Sequence, residues 1–251
     1  MRSEVQLTEW EQGRGPRVLL LPGLGARGVG FRALAERLAD VCRPVLVEYP
    51  EGRHAAVGAA GLARQVWRAA REMDAVVASS FGGMVAAHLA AAGAARGVAF
   101  LGSFTHTSQL GVRGRLIGMM GPIAVWGRPG VVAAGLAAWR LVTSGRAPDV
   151  VPMTPLERET TWHRARAIHS EPPPPTLRDL SVSCVCIQGA RDVLVPPVTM
   201  DRLAEVLPEG TPRHLLRGAG HVPYFTHPRE CAALLEPWLR ALSTEERVSV
   251  A

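Results

Sequence analysis

The order of apolar segments in this 251-residue chain predicts an α/β fold, with a mostly parallel sheet, helices on both faces and an inserted helical cap. Three observations lead there. Short apolar runs alternate with stretches of helical periodicity, joined by brief loops. The runs are almost unbroken Val, Leu and Ala, as in strands covered on both faces. The alternation stops after Ser103 and resumes at Val182. The expected boundaries are therefore 1–103 and 182–251 for the sheet domain and 104–181 for the cap.

Residues 4–10 alternate weakly and read as a short leading strand. Arg17-Val18-Leu19-Leu20-Leu21 is a buried strand that ends in Pro22-Gly23-Leu24-Gly25, where glycines let the backbone turn and expose its N–H groups. Phe31, Leu34, Ala35 and Leu38 recur at helical spacing, which predicts an amphipathic helix over 29–40. Pro44 to Tyr49 is the next strand. A helix over 57–72 follows, with Leu62, Val66 and Trp67 expected on its buried side. Asp74 to Ala78 and Gly97 to Gly102 are strands, and the alanine-rich segment between them is a helix.

Between Ser103 and Val182 the segments 116–125 and 131–142 are the most apolar. Arg128 and Pro129 divide them, so neither approaches the ~18 uninterrupted apolar residues of a membrane span. The run Pro172-Pro173-Pro174-Pro175 stiffens the return to the sheet. The strand pattern then resumes over Val182 to Ile187, with a helix over 199–207, a strand over 213–216 and a closing helix from Pro228 to about Leu242. The last eight or so residues read as a tail.

With 47% hydrophobic and 20% charged residues, the composition is that of a globular protein. The N-terminal residues lack the apolar core of a signal peptide, which predicts a cytoplasmic location. Cys42, Cys184, Cys186 and Cys231 show no metal-binding spacing and read as reduced core thiols. All 28 basic residues are arginine.

Candidate chemistry begins at Ala78-Ser79-Ser80-Phe81-Gly82-Gly83. A strand that turns at once into a helix needs small residues two positions either side of the turn. Ala78 and Gly82 satisfy that for Ser80, whereas Ser79 would be flanked by Val77 and Phe81. Ser80 is therefore the candidate nucleophile, lifted above the sheet on a sharp turn. Asp192 and His221 each follow a predicted strand, where parallel sheets gather reactive groups. A serine hydroxyl needs a histidine to accept its proton and an acid to orient that histidine. The chain order Ser80, Asp192, His221 suits that arrangement.

On these residues the chain resembles the α/β-hydrolase family over roughly 17–242. The resemblance rests on Leu21-Pro22-Gly23-Leu24-Gly25, Ala78 to Gly83, Gly189-Ala190-Arg191-Asp192-Val193-Leu194-Val195-Pro196 and Gly218-Ala219-Gly220-His221-Val222-Pro223. It implies a Ser80–His221–Asp192 triad, backbone N–H donors at Leu24 and Phe81 for an oxyanion, and ester or thioester hydrolysis through an acyl-enzyme on Ser80. It implies neither metal nor organic cofactor. Many members carry His-Gly where this chain has Pro22-Gly23, and many carry Gly in place of Ala78. Acyl transfer and carbon–carbon bond hydrolysis are alternatives on the same scaffold, and a non-catalytic binding role is disfavoured because all three triad positions are filled.

The cap sequence points to a substrate with an apolar acyl chain. From Phe104 to Pro148 there are five arginines (Arg113, Arg115, Arg128, Arg140, Arg146) and no acid, which is either a solvated basic face or a site for an acidic partner. The architecture and charge are similar to pimeloyl-acyl-carrier-protein methyl ester esterases, which implies an acidic carrier protein as an alternative partner. No aromatic residues interleave with these arginines as nucleic-acid binding would want.

Overall fold

The computed structural model describes residues 2–52, 57–111 and 154–249. The two apolar segments expected in the cap, and the arginines from Arg113 to Arg146, lie outside these residues.

Among the described residues seven strands form one sheet in the order β1-β3-β2-β4-β5-β6-β7. They are β1 (Gln6–Glu9), β2 (Arg17–Leu21), β3 (Arg43–Glu48), β4 (Ala75–Ser79), β5 (Gly97–Leu101), β6 (Ser183–Gly189) and β7 (Arg213–Leu216). Only β1 is antiparallel to its neighbour; every other pair is parallel. In chain order the helices are α1 (Arg32–Leu38), α2 (Ala59–Ala70), α3 (Gly82–Ala91), α4 (Pro155–His169), α5 (Val198–Ala204), α6 (Pro223–Thr226) and α7 (Pro228–Ser249).

Successive strand residues point to opposite faces, so the unbroken apolar runs feed two cores. Leu19, Leu21, Val76, Ala78, Val98, Phe100, Cys184 and Cys186 pack with α2 and α3 on one face. Val18, Leu20, Ala75, Val77, Ala99, Leu101, Val185 and Ile187 pack with α1 and α7 on the other. All four cysteines are free and buried, as expected of core thiols. Among the described residues no helix is long and apolar enough to cross a membrane.

Two expectations need correction. Trp67 is 43% exposed, not on the buried side of α2. The buried stripe is Ala59, Leu62, Ala63, Val66 and Ala70, and Trp67 lies about 80° round from Ala59 at the helical 100° per residue. The closing helix runs on to Ser249, seven residues beyond Leu242, instead of giving way to a tail. Apolar periodicity stops at the buried Leu242, but the polar residues after it include good helix formers that need no core contact.

Between β5 and β6 the described residues hold a 3-10 turn over Thr107–Leu110 and the helix α4. Thr154 and Glu157 start α4 as a reciprocal cap, each side chain accepting the other's backbone N–H.

Candidate active site

Parallel strands deliver their following loops to one edge of the sheet, and four of those loops build the site. Ser80 follows β4, Asp192 follows β6, His221 follows β7, and Leu24 follows β2. Register aligns the strand ends, with Leu21 opposite Ala78, Ser79 opposite Leu101 and Leu101 opposite Ile187.

Ser80 has φ 51°, in the left-handed region that non-glycine residues avoid. Such a residue costs about 1–3 kcal/mol and persists only where its surroundings fix it. Here the Ser80 N–H donates to the Leu101 carbonyl at 3.3 Å, and the Ser80 carbonyl accepts from the Gly83 N–H at 3.0 Å. The Ser103 hydroxyl donates to that same carbonyl at 2.6 Å. Gly82 lets the turn sit against the neighbouring loop, since a Cβ there would lie 2.7 Å from the Leu21 carbonyl oxygen. Ser79, the competing serine, is 1% exposed.

His221 bridges the other two candidates. Its Nε2 is 3.0 Å from Ser80 Oγ, and its Nδ1 is 2.9 Å from Asp192 Oδ2. An ionised carboxylate only accepts, which assigns the proton to Nδ1 and leaves the Nε2 lone pair facing the serine hydroxyl. Both side chains are buried, Asp192 at 3% and His221 at 6% exposure. Asp192 is further held by N–H donation from Leu194 (2.9 Å) and Val195 (2.8 Å) to Oδ1. The buried Gln188 amide donates 2.9 Å bonds to both Asp192 Oδ2 and the Val195 carbonyl.

Leu24 lies in the turn Gly23–Ala26, closed by a 3.1 Å bond from the Ala26 N–H to the Gly23 carbonyl. Gly25 has φ 71° at the third position, as a type II turn requires. Phe81 is the residue before α3, and its ring packs edge-on to Tyr49 at 6.2 Å between centroids.

The four cysteines are not activated thiols. Burial pushes the Cys42, Cys184 and Cys231 thiols up to about 12 and Cys186 higher, which keeps them protonated. Among the described residues no group of three or more His, Cys, Asp or Glu side chains is placed to hold a metal ion.

Of the five residues expected at the site, Ser80, His221 and Asp192 are joined by hydrogen-bond distances, while Leu24 stands in the loop after β2 and Phe81 directly after Ser80. Ser103 and Gln188, which also contact these residues, carry no signal in the sequence. Gln188 stands four residues before Asp192, but a buried glutamine at a strand end carries no distinctive spacing.

The sequence profile of the alpha/beta hydrolase family matches residues 18–234. No curated protein matches the sequence. Among solved structures, a thermophilic esterase from Thermogutta terrifontis is similar with a TM-score of 0.75 at 18% identity, covering 95% of this chain and 94% of its own. The esterase RhEst1 from Rhodococcus sp. ECU1013 gives 0.72 at 20% identity, covering 95% of this chain and 96% of its own. An epoxide hydrolase from Bacillus megaterium gives 0.69 at 13% identity, covering 94% of this chain and 97% of its own. At these identities the likeness concerns the fold, which hosts more than one chemistry. The profile match spans most of the chain, and the protein belongs to the alpha/beta hydrolase family.

Proposed function

We propose that this protein is a serine carboxylic ester hydrolase that works through an acyl-enzyme on Ser80. The observation that carries the reading is His221, within hydrogen-bonding distance of both Ser80 Oγ (3.0 Å) and Asp192 Oδ2 (2.9 Å). The esterases among its structural neighbours support the same reaction class.

In this reading His221 Nε2 takes the Ser80 proton as Oγ attacks the ester carbonyl. The N–H groups of Leu24 and Phe81 stabilise the negative oxygen of the tetrahedral intermediate. Collapse breaks the bond to the leaving alcohol, which departs with the proton held on His221. Water then gives its proton to His221 and attacks the acyl carbon, and collapse returns that proton to Ser80 Oγ and releases the acid. Asp192 keeps the imidazole in the required tautomer and stabilises its cation. The apolar segments 116–125 and 131–142 of the inserted sequence favour an apolar acyl group.

A fluorophosphonate should label Ser80, with Ser80→Ala abolishing the label and Ser79→Ala retaining it. His221→Ala and Asp192→Asn should each lower kcat on p-nitrophenyl esters by about 10³-fold or more. Labelling that survives Ser80→Ala would sink the reading.

A further inference from the structure

Helix α4 lies between β5 and β6 in the chain, yet its contacts cross the sheet edge to the loops after β2 and β3. Glu157, Thr160 and Arg164 are spaced by three and four residues and so share one helix face. Glu157 accepts a two-pronged bond from the Arg27 guanidinium, Nε to Oε1 at 2.7 Å and Nη2 to Oε2 at 2.8 Å. Thr160 Oγ1 accepts the Gly52 N–H at 2.7 Å. Arg164 donates to the Pro50 carbonyl at 3.1 Å, and its guanidinium sits over the Tyr49 ring, 5.4 Å from the centroid. Tyr49 in turn packs against Phe81. One helix face therefore reaches both segments that carry the oxyanion donors.

The Arg27 contact bears on the donor at Leu24. Arg27 directly follows the turn Gly23–Ala26. Besides Glu157, the chain from Gly23 to Arg27 is held by its own turn, by Leu24 packing on the core and by the Gly30 N–H donating to the Arg27 carbonyl at 3.1 Å, and none of these fixes the Arg27 side chain as a two-pronged bond does. The fork of a guanidinium on a carboxylate fixes orientation as well as distance, which a single charge contact does not. Glu157 is 8% exposed, and its Oε2 also accepts the Thr154 N–H at 2.7 Å. It is thus a rigid post rather than a loose surface partner.

We propose that Glu157 is a positioning residue for the oxyanion hole, holding the Gly23–Ala26 turn, and with it the Leu24 N–H, through Arg27. The inference rests on the oxyanion role given above to Leu24. Misplacing a catalytic group by 1 Å costs up to about 10²-fold, so loss of the pair should lower kcat about tenfold to a hundredfold while KM stays within about twofold. Affinity for a trifluoromethyl ketone, whose adduct with Ser80 carries an oxyanion, should fall in parallel. The two residues act as one unit, so a double variant should be little worse than either single one.

The experiment compares Glu157→Gln, Arg27→Gln and their double variant with the parent on p-nitrophenyl butyrate, each normalised by fluorophosphonate titration of active sites. Glutamine at 157 retains an acceptor for the Thr154 N–H, so the start of α4 is preserved. Arg27→Gln leaves α4 itself untouched should Glu157→Gln fold poorly. Leu24→Pro tests the underlying reading separately, because proline suits the second position of a type II turn and deletes only the N–H there; Leu24→Ala controls for the side chain. Leu24→Pro should lose about 10²–10³-fold in kcat. If Leu24→Pro is impaired but the Glu157 and Arg27 variants keep the parent's kcat per titrated site and its ketone affinity, the oxyanion reading stands and the positioning role is overturned. If Leu24→Pro matches Leu24→Ala, both fall.

Discussion

The Ser103 hydroxyl donates to the backbone carbonyl of Ser80, the residue held at φ 51°, so the strained turn is tied to the end of the neighbouring strand. This bond is one of two that the carbonyl accepts, the other coming from Gly83. Ser103→Ala should leave the fold intact but widen the range of Ser80 Oγ positions. The expected loss is about tenfold in kcat, or about 1.4 kcal/mol of transition-state stabilisation, with KM nearly unchanged. Steady-state kinetics on titrated enzyme would show this, and a parent-like kcat would mean that Gly83 and the Leu101 contact suffice.

Gln188 donates to the same Asp192 oxygen that faces His221. Gln188→Leu removes one of the donors that orient Asp192, together with the donor to the Val195 carbonyl, and should lower kcat several-fold. Gln188→Glu separates orientation from bulk. A protonated acid at 188 can still donate to Asp192, whereas its ionised form repels it. Activity of Gln188→Glu relative to the parent should therefore fall as pH rises. A flat ratio across pH would show that the 188 side chain exerts no control over the acid.

These two residues mark where sequence reasoning stops. The strands and the elbow are legible because each depends on residues near one another in the chain, and Ser80, Asp192 and His221 because each stands just after a locally recognisable strand. The strand β7 matches its expected span, and the C-terminal edge follows from parallel topology. Ser103 and Ser80, by contrast, are 23 residues apart, and Arg27 and Glu157 are 130 apart. Their pairing depends on side-chain directions set by the folded sheet, which no periodicity encodes. Trp67 fails for a related reason: apolar character alone did not fix its angle on α2 against the alanines that fill the buried stripe.

The start of α2 is a further long-range case. Its N-cap, Gly58, has no side chain to offer, and the carboxylate of Glu171 accepts the N–H groups of Ala59 and Ala60 at 2.6 and 2.7 Å. A carboxylate there meets two orphan donors and the positive end of the helix dipole. Glu171→Ala should destabilise the protein by about 1 kcal/mol, lowering Tm by roughly 2–4 °C for a chain of this size. Thermal unfolding would register the change, and kcat should be unaffected because Glu171 touches none of the three candidate catalytic groups. An unchanged Tm would mean that water replaces the carboxylate at no cost.

The Arg27–Glu157 pair also sets a pH dependence whose sign can be worked out. Burial pushes the Glu157 carboxyl up, but hydrogen bonds from Arg27 and Thr154 outweigh it, leaving it below the ordinary value of 4.5. A carboxylate that binds protons less readily when folded than when unfolded stabilises the fold above its unfolded value. That contribution is lost as pH falls through the lower folded value. Arg2 stands 3.6 Å from the same carboxylate, and Glu48 and Glu51 share the cluster. Glu48 has the opposite sense, since burial raises its carboxyl despite backbone hydrogen bonds and the charges of Arg2 and Arg27. Comparing Glu157→Gln with the parent at each pH largely cancels the Glu48 contribution, which is present in both. The Tm gap between them should be widest near about pH 7 and close progressively below 4.5, where the unfolded chain already holds the proton and the folded carboxylate begins to take it up. Chemical denaturation over the same range should give the same closing gap. A gap that stays constant into acid would assign the stability of this contact to packing and hydrogen-bond geometry rather than to the charge on Glu157.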